Sequence, residues 1–168
     1  EDAYHDLHGG ERRRTTWNEV IDSAEKNNDP GKFTALIGWE WSSQPGGGNL
    51  HRVVITPKGR EVASQFLPFS QLESEDPEKL WSWLDTVNQK TGADFVAIPH
   101  NSNASKGMMF DANMPDGNPL TLEYVTLRNK YERAIEMMQI KGNSEVHRSF
   151  WAADEFANFE NADSLGLY

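Results

Sequence analysis

A single α/β domain built on a mostly parallel sheet, with helices packed on it, is the architecture this sequence predicts. Three observations lead there. Short apolar runs of strand length alternate with segments of helical period, the pattern of βα units. The runs are continuous, as in strands covered on both faces. The polar residues best suited to chemistry follow directly after those runs, where parallel sheets and (β/α) barrels place their sites.

The elements follow in order. Within 16–28, Trp17, Val20, Ile21 and Ala24 fall at i, i+3, i+4 and i+7, the apolar stripe of an amphipathic helix. Thr15 or Thr16 is the expected cap, and Asn27-Asn28-Asp29-Pro30-Gly31 is strong stop chemistry. Residues 33–39 are the first apolar run and the first predicted strand. QPGGGN at 44–49 must be a loop, because three consecutive glycines do not belong inside a helix or strand. Residues 51–56 give a second strand, closed by Pro57. Asp76-Pro77-Glu78 supplies an N-cap, a first-turn proline and an acidic first turn for a helix that carries Leu80, Trp81, Leu84 and Val87 and stops near Gly92. A third strand at 95–98 ends at Pro99, and a polar loop spans 101–118. A helix over 120–130, a strand over 135–140 and a short helix from about 152 complete the reading.

The 168 residues suit one domain with a real core. A formal charge of −10 disfavours nucleic-acid backbones and anionic membrane surfaces, both of which need clustered Lys and Arg. The densest basic run, Arg12-Arg13-Arg14, reads as a solvated helix entry. No apolar run reaches the ~18 residues of a membrane span, and no secretory signal pattern is present. The chain starts at Glu1 without an initiator Met, as a piece of a longer product would. With no Cys, disulfides, thiolate zinc sites and Cys nucleophiles are all excluded. Any metal must therefore sit on His, carboxylate, amide or water. An acidic chain can still take an anionic substrate if a cation supplies the local positive charge. Walker A, GxGxxG, GxSxG and HExxH patterns are absent.

His100 is the sharpest candidate. In AIPHNSN it leaves a buried strand and enters a loop with Asn101 and Asn103 beside it. A neutral imidazole there can ligate a metal, act as a general base, or simply bond a backbone carbonyl. Glu40 ends an apolar run between Trp39 and Trp41, so it needs a cation, hydrogen-bond donors or a salt bridge to an Arg. His51 opens a strand after the glycine loop, in a structural or ligating role. Its neighbour Arg52 binds phosphate or carboxylate, or pairs with an acid. Glu145 and His147 share one face if the backbone is extended, and Lys141 before them can neutralise an oxyanion, although a solvated charged loop fits equally. His5 and His8 lie in a polar, arginine-rich stretch and read as solvated. The pairs Trp39/Trp41 and Trp81/Trp83 suggest either a sugar platform or, for Trp81 especially, core packing.

FTALIGWEWSSQPGGGNLHRVVI, then GADFVAIPHNSN, then MQIKGNSEVH with DEFANFE resembles an uncharacterised bacterial family of the polymerase and histidinol phosphatase (PHP) superfamily over about residues 15–160. The resemblance implies a distorted (β/α)7 barrel, here in part, holding two or three divalent ions, and a phosphoesterase activity. On it, Glu40 matches the bridging carboxylate of a Gly-x-Glu motif. His100 matches the His of an Ala-His-Pro-like motif, with Asn101 in the place of the proline, and His51 matches an intervening ligand. Glu145 and His147 match the family's own pattern. The superfamily's opening His-x-His and closing Asp-x-His motifs have no counterpart here, and a full barrel takes ~250 residues, so the resemblance implies the middle of a longer protein.

The functional expectation is a metal-dependent hydrolase, most simply a phosphoesterase that activates water on Zn²⁺, Mn²⁺ or Fe. Glu40, His51 and His100 are the metal ligands, and His100 and Glu145 the catalytic groups. Arg52, Asn101, Asn103, Lys141 and His147 are expected to contact a small-molecule substrate of the phosphate-ester class. The rival is a non-catalytic module that binds carbohydrate on exposed Trp. Exported relatives point, by resemblance alone, to a periplasmic or extracellular location.

Overall fold

The strands form an antiparallel sheet, which corrects the parallel, barrel-like architecture expected above. The computed structural model describes residues 2–139, 142–144, 149, 152, 153 and 155, with the side chains of its first helix from Gly10 onward. Strands β1 (Ile37–Trp41), β2 (Arg52–Thr56) and β3 (Val96–Pro99) lie in the order β1-β2-β3, and each neighbouring pair is antiparallel. The physical reason is visible in the first connection. Residues 42–51 hold one 3₁₀ turn, Pro45–Gly47, and no helix. A parallel crossover needs a dozen or more residues, usually helical, so this loop can only return the chain antiparallel.

The pairing sorts side chains onto two faces. Trp39 pairs with Val54 and Trp41 with Arg52, while Arg52 also pairs with Pro99 and Val54 with Ala97. This set, with Ile37, meets the helices and forms the core. The alternate set, including Gly38, Glu40, Val53, Ile55, Val96 and Ile98, makes the outer face and is only partly buried. The expected strand over 33–39, covered on both sides, is therefore corrected as well. Phe33 and Leu36 are exposed before β1 begins, and Glu40 lies inside the strand rather than after it.

Helix α1 (Asp2–Asn27) starts far ahead of the expected Thr cap. The Thr15 hydroxyl donates to the Glu11 carbonyl four residues back (3.0 Å), so it bonds within the helix instead of starting it. Its stripe holds in part: Trp17 and Ile21 enter the core and Ala24 packs against it, but Val20 is exposed, and Trp17 donates its indole N–H to the Ala63 carbonyl in the short helix α2 (Arg60–Ala63). Arg13 and Arg14 are not a purely solvated entry. Arg13 donates to the Pro68 carbonyl at 2.8 Å and Arg14 to that of Ser64 at 2.9 Å, clipping the 64–73 segment to α1.

Helix α3 (Pro77–Thr91) has the ends its sequence specifies. Asp76 accepts from the Glu78 N–H at 2.9 Å, and Gly92 closes it at φ 72°, where glycine has no Cβ to clash. Its Leu80, Trp81, Leu84 and Val87 are buried. Helix α4 (Leu122–Tyr131) is capped by the Thr121 hydroxyl and packs on α3. The strand expected over 135–140 reduces to Met138–Gln139 (β4), paired with Gly142–Asn143 (β5). The helix expected from about 152 lies largely outside the described residues. Among the described residues, no helix is long and apolar enough to cross a membrane.

Candidate functional site

Antiparallel order brings the ligand candidates together by a different route from the one the sequence suggests. The last residues of β1 and β3 and the residue before β2 all lie at one end of the sheet. His51 and His100 sit one step beyond the Arg52–Pro99 pair, and the His100 N–H donates to the His51 carbonyl at 3.3 Å. Glu40 belongs to the same outer face. Because side chains alternate along a strand, all three point away from the core.

One potential ligand atom from each of Glu40, His51 and His100 lies within 4.8 Å of the others. Glu40 Oε1 is 2.7 Å from His51 Nδ1 and 3.8 Å from His100 Nε2, and it accepts from the Ser42 hydroxyl at 3.0 Å. The imidazole rings stand edge to face, 5.7 Å apart. On the other side of His51, the Gln44 amide lies 3.1 Å from Nε2. The contact orients the ring, with the donor set by the imidazole tautomer and the amide's orientation. The Asn49 side chain accepts from the His51 N–H at 3.0 Å and fixes the start of the strand.

Burial grades across the cluster. The His100 side chain is 7% exposed, whereas that of Glu40 is 45% exposed. Glu40 is thus not the desolvated carboxylate expected from its Trp neighbours, because those face the core and it does not. His100 Nδ1 is buried and has no hydrogen-bond partner among the described residues. An orphaned buried nitrogen costs about 1–3 kcal/mol. Two imidazoles and a carboxylate converging in this way suit a borderline divalent cation such as Zn²⁺, Mn²⁺ or Fe²⁺.

The glycine loop is held by its neighbour. Asn49 N–H donates to the Ala104 carbonyl at 3.0 Å, and Lys106 Nζ to that of Gly46 at 2.7 Å. Gly48 is packed so closely that a Cβ there would lie 2.8 Å from the Ser105 carbonyl oxygen. Asn101, buried and left-handed at φ 60°, turns the chain out of β3 immediately after His100. Asn tolerates that conformation better than most residues.

Other candidates go elsewhere. Arg52, expected to contact substrate, is on the core face and 1% exposed. Its Nε pairs with Glu132 Oε1 at 2.8 Å, between the rings of Trp41 and Trp81. Burial pulls its guanidinium below the ordinary value, against the raising effect of Glu132. The Asn103 side chain accepts from the Ser144 hydroxyl at 3.2 Å. Lys141, Glu145 and His147 lie outside the described residues. Of the Trp pairs, Trp41 and Trp81 are fully buried, and Trp39 and Trp83 stack edge to face at 5.9 Å, so these pairs make core rather than a sugar platform. Ser42, Gln44 and Asn49 were not singled out from sequence. Ser42 was detectable, because it stands two residues from Glu40 on the same strand face.

The fold and site define a mixed α/β domain with a His₂-carboxylate cluster at one end of an antiparallel sheet. The chain belongs to the family described as a protein of unknown function (DUF3604), whose model matches residues 2–167. Among curated proteins and among solved structures, nothing matches the chain.

Proposed function

We propose that Glu40, His51 and His100 hold a divalent cation, and that the chain serves a metal-dependent hydrolase acting on phosphate esters. The observation that carries this reading is the approach of one donor atom from each residue to within 4.8 Å, at the solvent-reaching end of the sheet. The PHP-like motifs around Glu40 and His100 support it, and the barrel expected with them plays no part. Three protein ligands leave positions open for water and substrate.

When bound, such a cation supplies Lewis-acid polarisation of a phosphoryl oxygen and acidifies water. The chain's own residues do the positioning. Gln44 holds the His51 ring through Nε2, and the Ser42 hydroxyl orients Glu40. The His51 N–H and carbonyl groups are both engaged, which fixes His51 and His100 relative to each other. Glu40, exposed on one side, is the carboxylate open to an incoming ligand. Neutralisation by the cation is what lets a chain of charge −10 accept an anionic ester.

The test is hydrolysis of p-nitrophenyl phosphate and bis-p-nitrophenyl phosphate after chelation and reconstitution with Mn²⁺, Zn²⁺ or Fe²⁺. The reading expects metal-dependent turnover that H100A and E40Q each reduce by about 100-fold or more. No turnover with any of the three ions would overturn it.

A further inference from the structure

A second cavity lies at the same end of the molecule but on the core side, beneath the glycine loop. Its volume is about 460 Å³, and it runs between residues 45–50, residues 108–117 and the first turns of α3 and α4. It shares no lining residue with the Glu40, His51 and His100 cluster. The volume is roughly three times that of the ~150 Å³ apolar cavity that admits benzene, so a ring with a short side arm fits.

The walls are soft and apolar. Met108, Met109 and Met114 line it together with Leu50 and Tyr124. Unbranched methionines reshape around a guest and contact aromatic rings favourably. Tyr124 is only 6% exposed, and its hydroxyl has no hydrogen-bond partner among the described residues. Burial pushes that hydroxyl above its ordinary value, against the lowering effect of Arg128 and Arg52.

The rim is acidic, and among the described residues no cationic side chain pairs with it. Glu75, Asp76 and Asp111 border the cavity, and each accepts only from neutral donors: the Gln44, Glu78 and Asn113 N–H groups. Arg128 also reaches the wall, but it is committed. Its Nε bonds Glu132 Oε2 at 2.9 Å, its Nη2 bonds the Met109 carbonyl at 3.0 Å, and the guanidinium lies over Trp81 and Phe110. Among the described residues, an anionic guest would meet three carboxylates and no uncommitted base.

We propose that this cavity binds a small organic cation, a protonated primary amine on an aromatic or branched apolar body, with the body among the methionines and the ammonium between Tyr124 and the acidic rim. The site is independent of the metal reading, and neither outcome here bears on that one.

The test uses the whole chain labelled with ¹³C at the methionine methyls and titrated with 2-phenylethylammonium. Met108, Met109 and Met114 should shift saturably, while Met137 and Met138, which do not line the cavity, should stay still. Neutral 2-phenylethanol should bind at least about tenfold more weakly, and phenylacetate more weakly still, as loss of a charge-assisted contact requires. The double variant E75Q/D111N, altered at two exposed positions, should weaken the ammonium about tenfold and leave 2-phenylethanol unchanged. Equal affinity for the cation and the alcohol, no saturation by about 20 mM, or shifts spread equally to Met137 and Met138 would each overturn the proposal.

Discussion

Glu132 shows how single residues hold the two halves of the molecule together. Its carboxylate, 3% exposed, accepts from Arg52, from Arg128 and from the Trp81 indole, so one acid on the far side of α4 secures β2 against α3. Removing one partner of a buried ion pair strands the other charge and typically costs about 3–5 kcal/mol. E132Q should therefore lower unfolding stability by about that amount in urea titrations, with R52M less damaging because Met leaves Glu132 to Arg128 and fills the space. Equal losses for the two variants would show that the pairing is not what matters there. Sequence offered Arg52 as a pair for some acid but could not say which. Glu132 lies 80 residues away and follows a helix whose packing nothing local specifies.

At the scale of elements, the helices were the most legible. Asp76 and Gly92 bound α3 as read, because capping is a local matter of backbone groups and side chains a few residues apart. α1 was misjudged because Thr15 can bond backward as well as cap, a choice that composition alone does not make. The glycine loop depends on an absent side chain. G48A should drive a methyl into the Ser105 carbonyl and the Met108 side chain and destabilise the fold by about 1–3 kcal/mol, seen as a lower urea midpoint at unchanged slope. An unchanged midpoint would mean that the two loops separate freely.

The contact between α3 and α4 carries a pH signature. Lys130 and Tyr131 both bond Asp85, first through the Lys130 ammonium, and hold its carboxyl below the ordinary 3.8. Stability from this tie is complete above that ordinary value and is lost as pH falls through the lower folded one. D85N should cost about 0.5 kcal/mol at neutral pH, discounted for partial exposure, and the difference from the parent should vanish in strong acid. Burial first, and then the Asp85 bond, push the Tyr131 hydroxyl up from 10.0 to about 12. Its contribution is present below pH 10 and fades as pH rises toward 12, so Y131F should flatten the alkaline loss seen in urea titrations.

Across the whole molecule, the direction of the strands was the least legible feature and the location of the site the most instructive. Apolar runs identify strands but carry no arrow. The expectation of parallel strands came from alternation with helices, whereas the helix-free connection at 42–51 already demanded a reversal. Glu40, His51 and His100 nonetheless meet, because the ends of β1 and β3 and the start of β2 share one end of the sheet in this order. A fully parallel sheet would have sent the start of β2 to the opposite end. Arg52 missed the site for the same reason that His51 reached it, since adjacent residues on a strand face opposite sides.

The central claim is a divalent cation held by Glu40, His51 and His100, and calorimetric titration of the chelator-treated chain with Mn²⁺ and with Zn²⁺ tests it most directly. The account predicts one saturable site, weakened about tenfold or more by each of E40Q, H51A and H100A, with all three variants retaining the parent's far-ultraviolet circular dichroism. No saturable binding of either ion, or binding that all three substitutions leave unchanged, would contradict it.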